Sequence, residues 1–381
     1  MRKITFGKTE LHKFWTEQVN AVRSAIQIHT EAPVPAVNAF ILLDSPKIGA
    51  SVSAIEPLQP VITVNSGTIK NIATLFTELC KNDYFFIFPS GVGKKKYLLT
   101  ALATRWILLH ELAHWLLGHC GAVAQHFLDE GTQHLVVFAA DEDEPMDLKH
   151  NDKLKYLELQ ADGLAFELLL HHATFADEST DTTWKWIDAA QNPNLTDVDV
   201  ITQKIRSIMV AGSSVVLAME QLRRAAFGMN LAYPLPLTRL TNLMATAIGV
   251  MSDYIGVTEE TPDGRLVINP KAYQAHEEIF NTLVTGLAAS MLDAGLMAET
   301  LGVSDVLVGD TEISVEINLK LMESFNQKLI FLQNLQKYMN NQSFRPKPSE
   351  WNSLSFNEYI DLHNMRKIVD PLLFDYAIID F

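Results

Sequence analysis

The residues best suited to chemistry are the run His110-Glu111-Leu112-Ala113-His114. Residues four apart on a helix share a face one turn apart, so both imidazoles can reach one metal ion. Glu111 lies beside that pair without belonging to it. Its carboxylate is placed to take a proton from metal-activated water and pass it to a leaving amine. With 12 histidines in 381 residues, the spacing arises by accident in roughly 2 of 100 sequences of this composition, so context must decide. The context is a long apolar stretch free of proline, which predicts a helix over about residues 98–117.

A catalytic zinc site takes three protein ligands and keeps a fourth position open. One route to the third ligand is a histidine ten residues after the first, with a glycine seven after it. Those positions hold Cys120 and Leu117 here, so that pattern fails. His119 points away from the His110/His114 face if the helix continues, and reads as a helix-end histidine rather than a ligand. The other route is a carboxylate from a second helix. Glu158-Leu159-Gln160-Ala161-Asp162 supplies it, within a helical run expected over about 153–171. Glu158 and Asp162 share a face, so one can bind metal while the other accepts a hydrogen bond from a ligand imidazole and fixes its tautomer. Ala161 and Ala165 are small enough to let this helix approach the first closely. Two acids on a solvated face are the alternative, but the helix is apolar enough to be buried, where an isolated carboxylate is costly.

The string HELAHWLLGH followed by ELQAD resembles the gluzincin core of the CAAX-prenyl-protease and HtpX-like peptidases. The soluble ImmA/IrrE-type and Lit-type (phage-exclusion) peptidases share a similar layout. Upstream, AVNAFILL and PVITVNSGTI are similar to the paired strands that precede the active helix in the HtpX-like group. Downstream, YPLPLTRLTNL is similar to that group's His-Pro…Arg segment, with Tyr233 where the histidine stands. The resemblance covers residues 35–245, with firm matches at the two helices. It implies one zinc per chain, held by His110, His114 and Glu158, with Glu111 as general base and then acid. It implies that Asp162 orients a ligand imidazole, and it makes Tyr233 and Arg239 candidates for stabilising an oxyanion or orienting a carboxylate. It also places the strand at 37–43 beside the cleft, where an extended peptide would add to a sheet edge through donors such as the Ala39 N–H. The apolar run Phe40-Ile41-Leu42 equally suits a buried core strand.

These residues must be positioned by the rest of the chain. Helical spacing runs over 11–30 and ends before Pro33 and Pro35. Two β-like runs at 37–43 and 61–65 are separated by a Ser-, Gly- and Pro-containing stretch that reads as a loop, and a helix follows over 69–79. An aromatic strand is expected at 84–88, an acidic loop at 141–145, and helices through most of the chain beyond 198. The exceptions are a Pro-rich break at 233–237 and hairpins near Val267 and over 306–315. The expected class is α+β: a small sheet packed on two zinc-binding helices, with a mostly α-helical C-terminal half. With that pattern, the resemblance implies a zincin-like domain over 1–245 and a helical recognition region over 246–381. Weaker signals are set aside: Ser90 to Lys95 lacks the first glycine and the Ser/Thr of a phosphate loop, and His171-His172 reads as a helix end.

A formal charge of −15 repels nucleic-acid backbones and anionic headgroups, so neither is expected as a partner. Cys80 and Cys120 cannot build a disulfide framework or a paired-thiolate site. The N-terminal stretch has no apolar signal region, residues 97–119 carry charge, and the apolar stretch at 207–219 falls short of the ~20 residues that cross a bilayer. A cytoplasmic protein with no membrane span is expected, acting as a zinc endopeptidase on a protein or peptide. The other reading is an ImmA/Lit-like regulatory or host-defence protein that keeps the zincin fold but acts on one partner or only binds. Glu111 argues for catalysis, because a binding module has no chemical need for it.

Overall fold

The computed structural model describes residues 7–30, 32–54, 60–81, 92–121, 138–139, 152–175, 181–187, 197–227, 236–260 and 266–303. Helix α1 (Lys8–His29) buries Leu11, Phe14, Trp15, Gln18, Val19, Val22, Ala25 and Ile26, the helical spacing read in the sequence. The Glu10 carboxylate accepts from the Gly7 N–H at 3.0 Å and closes its first turn.

Three strands follow: β1 (Phe40–Leu43), β2 (Ala50–Ala54) and β3 (Pro60–Asn65). Their order is β1-β3-β2, with β1 parallel and β2 antiparallel to β3, and the two-residue β4 (Phe138–Ala139) pairs on the far side of β2. The stretch between the first two β-like runs is therefore not all loop. The β2 sequence Ala-Ser-Val-Ser-Ala carries one large apolar side chain, Val52, which is fully buried. Its strand state comes from pairing with β3 rather than from propensity, and propensity was all the sequence offered. Among the described residues β1 lies at a sheet edge, while residues 37–39 form a 3-10 turn.

Helix α2 (Ser66–Leu79) starts where β3 ends. A Cβ on Gly67 would come within 2.1 Å of the Pro46 carbonyl oxygen, so that position takes glycine alone. The Gly67 N–H donates to Ser45 O at 2.7 Å, and Thr68 Oγ1 bonds both backbone groups of Gly49, at 2.8 and 2.9 Å. These bonds clamp the 45–49 turn to the start of α2, and the next residues form one wall of the site.

Helix α3 (Val92–Leu116) is buried around almost its whole girth from Leu98 onward, as suits a central helix. It packs on β2, β3, α1, α2 and two further helices: α4 (Asp152–Phe175) and α5 (Asp197–Phe227). Ala161 and Ala165 of α4 are fully buried. Helix α6 (Pro236–Tyr254) packs on α4 and α5. The hairpin β5 (Thr258–Glu260) and β6 (Leu266–Ile268) then leads to α7 (Pro270–Leu301), which lies along α5. A mostly helical chain with a small mixed sheet agrees with the α+β expectation. The expected aromatic strand, acidic loop and second hairpin lie outside the described residues.

Helix α5 extends well past the apolar stretch at 207–219. Asp197–Leu222 of α5 and Lys271–Leu301 of α7 are each long and apolar enough to cross a membrane, with 72% and 44% of their apolar windows buried inside the molecule.

Candidate metal centre

Helix α3 carries His110 and His114 one turn apart, and α4 lays Glu158 against them. The two imidazole Nε2 atoms are 3.3 Å apart. Glu158 Oε2 lies 3.4 Å from His110 Nε2, and its Oε1 lies 3.5 Å from His114 Nε2. One donor atom from each of the three residues falls within 4.8 Å of the others, so the group could hold a metal ion. The His114 side chain is 1% exposed, while His110 and Glu158 keep 11% and 12%, as befits groups that line a cleft.

Behind His110 stands Asp162, fully buried, with Oδ1 3.0 Å from His110 Nδ1. Arg239 of α6 donates to both carboxylate oxygens through Nε and Nη2, each at 2.7 Å. The same guanidinium lies 5.8 Å from the centre of the Trp106 ring, and that ring stacks on His110 at 5.4 Å and 29°. His110 is thus fixed at its edge and on its face. Burial works against a charged imidazole, but Asp162 and Glu158 outweigh it and raise His110 to about 10. Burial likewise opposes the Asp162 charge, yet Arg239 and His110 hold that carboxyl down at about 2.

Behind His114 the structure places His119. The chain turns at Gly118, whose φ is 76°, and His119 Nδ1 comes 2.9 Å from His114 Nδ1. On its other side His119 Nε2 lies 3.2 Å from Gln160 Oε1. His119 is therefore no bystander at a helix end. The projection that turned it away assumed a continuing helix, whereas the left-handed glycine folds it back. Gly118 was visible as a stop signal, but the direction of the turn was not.

Glu111 lines the same cleft as His110, His114 and Glu158, along with Ile48, Gly49, Ala50, Trp106, Ile107, Val215, Met219 and Arg239. Its Oε2 is buried with no hydrogen-bond partner among the described residues. Burial pushes its carboxyl up to about 8, and the opposing pulls of His110 and the Val52 amide do not cancel that.

Arg239, a candidate for stabilising an oxyanion or orienting a carboxylate, lines the cleft and donates to the Asp162 carboxylate. Tyr233 lies outside the described residues. His171 and His172 sit in a different neighbourhood, near Glu167 at 3.8 Å and Asp181 at 4.0 Å respectively. The cleft's sheet-side wall is Ile48 to Ala50 at the start of β2, while β1 is the opposite edge with β3 between. The Ala39 N–H expected to receive a peptide already donates to Ala36 O at 2.9 Å. No family model matches the sequence, and comparison with curated proteins and with solved structures finds no match, so the centre is interpreted on its own geometry.

Proposed function

We propose that the protein is a zinc-dependent endopeptidase. The observation that carries this reading is Glu111: a buried carboxylate with an unpartnered oxygen, in the same cleft as three converging metal donors. A structural metal site has no use for such a group, because an unsatisfied buried oxygen is costly. His110, His114 and Glu158 would hold the ion, and two imidazoles with one carboxylate form a donor set that suits zinc. Zinc bound there supplies Lewis acidity, polarising a carbonyl and lowering the pKa of water to about 7.

The chain's own residues do the rest. In its ionised form Glu111 takes a proton as the water oxygen bonds to the peptide carbonyl carbon, and gives it to the amide nitrogen as the C–N bond breaks. Asp162, Arg239 and Trp106 keep His110 oriented. Ile107, Val215 and Met219 give the cleft apolar walls, which strengthen the electrostatics within it. The resemblance of HELAH and ELQAD to the gluzincin peptidases supports a peptide bond as the one cut.

The test is to map new N-termini in a cell lysate treated with the native chain or with Glu111→Gln. We expect cleavage by the native chain, none after chelation, and none by Glu111→Gln, although that variant still binds zinc. Equal cleavage by Glu111→Gln would remove Glu111 from the mechanism. No cleavage by zinc-loaded native protein would remove the peptidase reading.

A further inference from the structure

We propose that His119 and Gln160 are positioning residues that fix the tautomer of His114 and so hold its Nε2 open to the metal. The inference rests on reading His110, His114 and Glu158 as the ligand set.

The argument follows the hydrogens. Gln160 Oε1 can only accept, so His119 Nε2, 3.2 Å away, carries an N–H. The other nitrogen of a neutral imidazole is an acceptor, which makes His119 Nδ1 the acceptor. His114 Nδ1 is 2.9 Å from it, so the hydrogen between them belongs to His114. His114 Nε2 is then left with a lone pair, and it is this atom that faces His110 Nε2 at 3.3 Å and Glu158 Oε1 at 3.5 Å. Reversing the donors along the chain would put a hydrogen on His114 Nε2 and close it to metal. The Gln160 amide thus determines, through His119, which nitrogen of His114 is available.

The placement is economical in sequence. Gln160 stands two residues after Glu158, so one turn of α4 supplies both a carboxylate donor and the anchor of the second imidazole. Gly118, with φ 76°, provides the reversal that brings His119 between them. Each imidazole then has its own partner behind it: Asp162 for His110 and His119-Gln160 for His114.

The experiment measures Zn²⁺ affinity of the full chain by competition with a chromophoric chelator. Gln160→Met removes the acceptor at similar volume and should weaken binding roughly 10–100-fold, as loss of other ligand-orienting partners does. Gln160→Glu keeps an acceptor and should bind at least as tightly as the native chain. With His119→Phe in place, Gln160→Met should have no further effect, because the link to His114 is already cut. Thermal unfolding without metal reports folding of each variant. Native-like affinity in Gln160→Met, equal losses in the Met and Glu variants, or a Met effect that persists beside His119→Phe would each overturn the proposal. A native chain that binds no Zn²⁺ would overturn the ligand set itself. Native binding with unseparated variants would overturn only the role of Gln160 and His119.

Discussion

Asp162 touches two partners at once, His110 through Nδ1 and Arg239 through two hydrogen bonds. Its place beside Glu158 on one helix face was legible, because a spacing of four needs only the helix period. The identity of its cationic partner was not, since Arg239 lies 77 positions away on another helix. His119 was misplaced for a different reason: a single left-handed residue decides its direction. Asp162→Asn removes the charge that both partners face and leaves Arg239 buried beside a neutral amide. We expect a folded variant whose zinc affinity falls about 10–100-fold, measured by chelator competition beside thermal unfolding. Native values in both assays would make Asp162 an ordinary residue of α4.

At the scale of elements, α1, α2, α3 and α4 were each readable, since their apolar spacing and stop signals are local. β2 was not, because its pairing with β3 is a tertiary event and Val52 is its one large apolar residue. The tie between elements was equally hidden. Arg105 of α3 donates through Nε to Gln18 Oε1 of α1 at 2.7 Å and through Nη2 to Thr183 Oγ1 at 2.6 Å, and it is ion-paired with buried Asp181. The sequence presented Arg105 only as a charge inside an apolar helix. Burial opposes the Asp181 charge, but the guanidinium and the Thr183 groups hold its carboxyl down, from 3.8 to about 2. A folded-state pKa below the unfolded one stabilises the fold above the unfolded value. That contribution is lost as pH falls from roughly 4 towards 2, and it is on the order of 2 kcal/mol. Unfolding free energies of the native chain and Asp181→Asn should therefore differ at pH 7 and converge as pH falls through that window. A gap that stays constant with pH would mean the Asp181 charge contributes nothing.

Across the whole molecule, the apolar length of α5 and α7 serves two tests at once. Both helices meet the length and hydropathy of a membrane span, yet they pack along one another, and α5 also packs on α3 beneath the centre. The helix expected beyond 198 is α5, and the charged residues that bound its apolar stretch at 207–219 lie within that one helix of 31 residues. The clamp from Ser45 to Thr68 sets one wall of the cleft, α3 and α4 supply the converging side chains, and α6 supplies the arginine behind them. All of this arrangement has consequence only if His110, His114 and Glu158 bind a metal together. The most direct measurement is zinc stoichiometry of the full chain, by elemental analysis after dialysis, for the native protein and Glu158→Ala. The account predicts one tightly held zinc per native chain and loss of stoichiometric zinc from a folded Glu158→Ala, since three ligands are the minimum for such a site. Full occupancy in Glu158→Ala would contradict it.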